Sequence, residues 1–209
     1  MTTIGPSLAA FIGAAALLTI TPGLDTALVL RTITTGGPRP ALLAGLGIAT
    51  GCFVWAIIVA LGLGALLDAS VLAYNVLRWL GAAYLVWTGY KMLRNPRRSF
   101  VADAPGAQAR HQSFVTGALT NLLNPKVGVF YVSFLPQFVP DAVAVGPFIL
   151  LLGAIHALLG MIWFTCLVAA TRPVTRLLQR PRVVSACDRL TGSMFIAFGI
   201  GLALQSRRP

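Results

Sequence analysis

Thr21-Pro22-Gly23-Leu24-Asp25 interrupts an apolar run from Ser7 to Leu30, and Asn124-Pro125-Lys126 interrupts a second, from Ser113 to Val139. Each run holds one charged residue, and in both that charge follows the proline. A proline inside a helix removes a hydrogen-bond donor and clashes with the preceding turn, so each motif predicts a break. A charge in a bilayer core is costly and is retained there mainly for function. These two sites are therefore where function is expected, and the rest of the apolar sequence reads as wall.

The chain has 209 residues, of which 57% are hydrophobic and 10% charged, with a mean hydropathy of +0.83. Such a composition lies outside the range of soluble globular domains and predicts an integral membrane protein. Runs nearly free of charge mark six spans, about Ser7 to Leu30, Pro40 to Leu67, Val71 to Tyr90, Ser113 to Val139, Gly146 to Thr171 and Leu190 to Ser206. Backbone groups in lipid must bond within their own segment, and these runs are too continuously apolar for barrel strands, so each is read as a helix. The expected fold is all-α, a single transmembrane domain over 1–209 with a repeat A at about 7–93, a cytoplasmic loop at about 94–112 and a repeat B at about 113–206.

Charge sets the expected orientation. Arg31 and Arg39 follow the first span, Lys91, Arg94, Arg97, Arg98 and Arg110 the third, and Arg172, Arg176, Arg180, Arg182 and Arg189 the fifth. The loops around Asp68 and Asp141 carry no cation. Because basic short loops stay cytoplasmic, both termini are placed outside, with Arg207 and Arg208 the exceptions to the pattern. The net charge of +11 is thus explained by three loops facing anionic lipid headgroups, with no nucleic-acid motif beside it. The N-terminus lacks a basic n-region and its apolar stretch is too long for a cleaved signal, so the first run is read as a retained span. Cys52, Cys166 and Cys187 show no CxxC or metal-ligand spacing and read as small apolar packing residues. No metal site, cofactor or enzymatic cluster is expected.

Six spans divide into three and three, and an odd number per half turns the second half over. The first helix of each half carries a proline break. The third helices also match, Arg78-x-x-Gly81-x-x-Tyr84-Leu85-x-Trp87 with Arg189-x-x-Gly192-x-x-Phe195-Ile196-x-Phe198. Paired interrupted segments predict an inverted-repeat transporter with its site where the breaks meet. Proline is favoured at the first helical position, which makes Thr21 and Asn124 the expected N-caps of two half-helices whose unpaired N–H groups and positive ends face the interior. Asp25 would sit favourably there and Lys126 unfavourably, so Lys126 needs an anion, either Asp25 or a bound carboxylate. A purely structural ion pair is the alternative.

The proline-glycine-x-aspartate break, the Asn-Pro-Lys break, Gly45-x-Gly47-x-x-x-Gly51 and the Arg-x-x-Gly-x-x-Tyr-Leu third span together resemble the LysE/RhtB family of amino-acid exporters, over the whole chain. The family's usual Pro-Gly-Pro-Asp has Leu24 at its second proline here, one break-forming residue fewer. The resemblance implies a multi-pass protein of the bacterial inner membrane that exports amino acids or close derivatives in exchange for protons, with the first-motif aspartate important to transport.

The site residues expected to bind substrate or protons are Thr21, Pro22, Gly23, Asp25, Asn121, Asn124, Pro125 and Lys126. A zwitterion would place its carboxylate on Lys126 and the half-helix ends and its ammonium on Asp25. A basic side chain would need a further carboxylate. The chain has no Glu and its other Asp residues read as lying at or near loops, which favours neutral or homoserine-type substrates. Asp25, as the one carboxylate read inside a span, is the expected proton site. His156 reads as a hydrogen-bonded packing histidine or a second titratable group. Asn121 reads as a substrate ligand or a cap, and Gly47 and Gly51 as a helix-packing face. Trp79, Trp87, Tyr84 and Tyr90 read as interface anchors. The expected partners are an amino acid, protons and membrane lipid, and a homo-oligomer is compatible with the sequence. The rival readings are a thiol-disulfide or electron carrier and a small-ion transporter of related broken-helix architecture. The first needs two cysteines placed to react with each other, and the second needs more intramembrane ligands.

Overall fold

A computed structural model of the chain describes residues 3–21, 23–69, 71–96, 110–141, 143–170 and 180–204. Among them are eight α-helices, one 310 helix and no strand. In chain order these are α1 (Ile4–Ile20), α2 (Leu24–Gly36), α3 (Pro38–Ala69), α4 (Val71–Arg94), α5 (Arg110–Leu122), α6 (Pro125–Phe134), the 310 helix (Leu135–Phe138), α7 (Val145–Ala169) and α8 (Pro181–Leu204). Prolines open α3, α6 and α8, where the missing N–H is not needed. Gly37, with φ of 85°, ends α2 and lets the chain turn directly into α3.

Three helices are long and apolar enough to cross a membrane, Pro38–Gly62 of α3, Val145–Ala169 and Pro181–Leu204. A fourth span arises if α1 and the Leu24–Ile33 part of α2 count as one, bent by 51° at the break. The remaining two expected spans correspond to α4 and to α5 with α6, which are helical but do not reach that length and apolarity among the described residues. The last helix starts at Pro181, well before the charge-free run from Leu190 that marked it in the sequence. Arg97, Arg98, Arg172 and Arg176 lie outside the described residues, as does most of the expected loop at about 94–112.

α3 is central, packed against α5 and α7. Glycine allows the closeness of the first contact: a Cβ on Gly47 would overlap the Phe114 carbonyl, and one on Gly117 would overlap the Ala44 carbonyl. This is the small-residue contact expected where lipid leaves no hydrophobic drive between helices. α4 pairs with α8, Gly89 opposite Gly192 and Ala82 opposite Gly199, so the two run antiparallel. Phe130, Phe134, Phe138 and Phe198 form an aromatic chain, with the Phe134 and Phe198 ring centroids 4.2 Å apart. Phe11 joins it edge-on, and the Ser7 hydroxyl donates to the Phe138 carbonyl, fixing α1 to the 310 helix. Large apolar side chains face outward, with Leu61 72% and Leu158 62% exposed. Water would penalise such a surface, whereas lipid would not. Trp79, Trp87 and Tyr90 are also half exposed, and Lys91 Nζ lies 4.2 Å over the Trp87 ring, as in an interfacial belt.

Candidate functional site

Both breaks are present, and they differ in construction. Thr21 ends α1 with φ −67° and ψ 114°, its N–H bonded to the Leu17 carbonyl at 3.0 Å. Its hydroxyl donates to the same carbonyl at 2.8 Å and therefore accepts from the Thr191 hydroxyl of α8. Thr21 thus closes the first half-helix rather than capping the second, a correction to the sequence expectation. The N-cap of α2 is Gly23, which has no side chain to offer. Pro22 lies outside the described residues. The proline that the family pattern has at 24 would stand at the first helical position, so Leu24 costs preorganisation while the break persists.

At the second break Asn124 is the N-cap of α6, its Oδ1 accepting from the Lys126 N–H at 3.1 Å, and Pro125 occupies the first helical position. The N–H groups of Val127 and Gly128 bond to the Asn124 carbonyl. The α6 terminus therefore satisfies its own donors instead of presenting them unpaired, contrary to the expectation for both half-helices. Of the two half-helices that start at the breaks, α2 is the one without a side-chain cap.

The structure brings Asp25, Asn121, Asn124 and Lys126 together. Asn121, fully buried on α5, donates through Nδ2 to Asp25 Oδ2 at 2.9 Å and to Cys52 Sγ of α3 at 3.4 Å. Asn121 is therefore neither a cap nor solvent-facing; it holds the aspartate. Asp25 Oδ1 and Asn121 Oδ1 are buried and take no hydrogen bond among the described residues. A buried acceptor of this kind is expensive unless something else supplies a donor. Asn124 and the Lys126 charge both lie close enough to act on the Asp25 carboxyl group. A Cβ built on Gly23 would come 4.0 Å from Lys126 Nζ, which places the ammonium against the uncapped start of α2. Nζ also lies 6.0 Å from the centre of the Phe195 ring of α8.

Gly23, Asp25, Asn124 and Lys126 line a cavity of about 70 Å³ between the two breaks, with further walls from α3 and α7. That is room for several water-sized molecules. His156 of α7 lines it too and bonds through Nδ1 to the buried Tyr131 hydroxyl at 2.9 Å.

Several residues of this region were missed from sequence. Cys52 lies one position after the small-residue face and so arrives at Asp25 with α3. Thr191 and Phe195 share a buried stripe of α8 with Asp188, at positions i+3 and i+7 from it. Asp188 overturns the expectation that Asp25 is the one carboxylate well inside a helix. It is 1% exposed and takes part in an interaction within the protein. The misreading came from starting the last helix after Arg189, when its first turns are polar yet helical.

The chain matches the model of the LysE type translocator family over residues 16–206. It is 29% identical to the homoserine/homoserine lactone efflux protein of Salmonella typhimurium over 93% of this chain and 94% of that protein. It is 31% identical to the leucine efflux protein of Enterobacter sp. strain 638, covering 92% and 93% of the two chains. It is also 31% identical to the threonine efflux protein of Escherichia coli K12, covering 88% and 91%. No solved structure matches at a significant level. The described residues are all helical or loop, with apolar helices of spanning length and a buried charged site between two helix breaks, features consistent with the class of membrane transporters. Within that class, this chain belongs to the LysE type translocator family.

Proposed function

We propose that the chain is a secondary transporter that exports neutral or homoserine-type amino acids from the cytoplasm by proton antiport with alternating access. The observation that carries this reading is the buried Asp25 Oδ1, which takes no hydrogen bond among the described residues, beside the Lys126 ammonium. A zwitterion complements both groups. Its ammonium would satisfy Asp25 Oδ1, and its carboxylate would lie between Lys126 Nζ and the uncapped, positive end of α2. The efflux activities printed for the Salmonella, Enterobacter and Escherichia relatives agree in substrate class. In this reading Asp25 exchanges substrate for a proton: protonated, it no longer holds the ammonium, and ionised, it does.

The same reading makes the chain one domain of two inverted three-helix repeats in the bacterial inner membrane, with the Arg-rich loops cytoplasmic. The docking of α5 on α3 and of α1 on α7, and the antiparallel α4 and α8 pair, support that arrangement. The test is proton-gradient-dependent efflux of an amino-acid panel from vesicles. The wild type is expected to export neutral amino acids, and Asp25→Asn to insert normally while losing gradient-driven export. Full gradient-driven transport by Asp25→Asn would remove the proposed proton site and leave the Asp25 and Lys126 pair a structural one.

A further inference from the structure

The break residues account for the two charges common to every amino acid, which leaves the side chain to be recognised by the helical walls. On the α7 wall the lining residues are His156, Ala157, Gly160 and Phe164, and His156 is the polar one. Its ring is held on two sides. Nδ1 bonds to the hydroxyl of Tyr131, which is fully buried, and the Phe130 ring lies 5.3 Å from it centre to centre. Among the described residues His156 makes one hydrogen bond, through Nδ1, and the residue lines the cavity. Nε2 is thus left at the cavity wall to bond a ligand, as donor or acceptor according to the tautomer.

We infer that His156, oriented by Tyr131, is the specificity-determining residue for the substrate side chain, and that it selects amino acids with a hydroxyl on the β or γ carbon over aliphatic ones of equal size. If Tyr131 donates to Nδ1, Nε2 carries the proton and donates; if Tyr131 accepts, Nε2 accepts. A hydroxyl can answer either tautomer, a methyl neither, and an ammonium only one. The small Ala157 and Gly160 keep the wall beside His156 low, and Phe164 closes it, which suits a short side chain. The inference rests on the reading of this cavity as the amino-acid site.

The experiment uses the full chain in phosphatidylethanolamine and phosphatidylglycerol vesicles, with counterflow of isosteric pairs: threonine against valine, and homoserine against norvaline. The wild type is expected to favour the hydroxylated member of each pair by about tenfold, the discrimination one hydrogen bond supplies. His156→Leu should bring both ratios close to one by losing the hydroxylated substrates while valine and norvaline hold. His156→Gln should keep part of the preference, and Tyr131→Phe should transport all four with the preference reduced. A wild type without the preference overturns the inference, as does His156→Leu retaining it or losing all four substrates equally. If His156→Leu does not accumulate in the membrane, Tyr131→Phe decides, an unchanged ratio being the refuting result. A wild type that moves none of the four instead refutes the proposed function.

Discussion

Three glycines of α3 differ only in what stands opposite them, and their replacement by alanine separates packing from site geometry. At Gly62 an added Cβ meets nothing within 4 Å. The change should be neutral or stabilising by up to about 1 kcal/mol, the usual gain of alanine over glycine inside a helix. At Gly47 the Cβ would overlap the backbone carbonyl of Phe114, which cannot yield unless α5 moves as a body. Overpacking of that kind costs about 1–3 kcal/mol. At Gly51 the obstacle is the Asn121 side chain, with Oδ1 at 2.7 Å and Cβ at 3.0 Å. Asn121 is fully buried and its Nδ2 holds Asp25, so it can yield only by giving up that bond. A hydrogen bond to a charged acceptor is worth about 1.5–3 kcal/mol, roughly a tenfold to hundredfold change in an equilibrium. Gly51→Ala should therefore lose transport out of proportion to its stability, whereas Gly47→Ala should lose both and Gly62→Ala neither. The assays are thermal unfolding in detergent and efflux from vesicles at matched protein levels. Wild-type efflux by Gly51→Ala would refute the claim that Asn121 positions Asp25. Equal stability of Gly47→Ala and Gly62→Ala would refute the close packing of α3 on α5.

Lys126→Met should lower both stability and transport, because it leaves the buried Asp25 charge without its cation. Adding Asp25→Asn should restore thermal stability towards wild type without restoring transport. A double variant no more stable than Lys126→Met would mean the two charges are not coupled, as a double-mutant cycle on melting temperatures would read directly. Replacement of all three cysteines, with serine at Cys52 to keep an acceptor for Asn121 and alanine at Cys166 and Cys187, should leave export intact. Loss of export restored by Cys52 alone would point to a role for that thiol beyond packing. Substitution is the sounder test than alkylation, because a group attached to Cys52 would fill the cavity it lines and block any carrier.

Much of the fold was legible because lipid narrows the choice: long uncharged runs have to be helices, and a proline followed by a charge has to be an interruption. The ends were less legible. Charge marks where a run stops being apolar, but a helix continues as long as its backbone bonds do, so α8 begins at Pro181 and carries Asp188 inside with it. The site was legible where the chemistry is local. Asn124 caps α6 because its short side chain reaches the N–H two residues on, a relation contained in three letters of sequence. Cys52, Tyr131 and Thr191 were not legible, because each meets the site through the packing of a separate helix. The small residues around Cys52 announced a contact but not its partner.

The unequal breaks bear on how a lysine survives in the first turn of a half-helix. An ammonium at that end opposes the dipole of its own helix, and Asn124 has already taken the Lys126 backbone donor, so nothing in α6 favours the charge. Lys126 instead lies against Gly23 and Phe195 and acts on Asp25, all of them on other helices. Asp25 in turn stands at a helix start whose cap residue has no side chain, where its own charge is favoured. Asp25 therefore stabilises the cation while the two broken helices stay together, and a motion that parts them favours another anion for Lys126 and another donor for Asp25. A bound amino acid supplies one of each, which would couple movement of the broken helices to occupancy of the cavity.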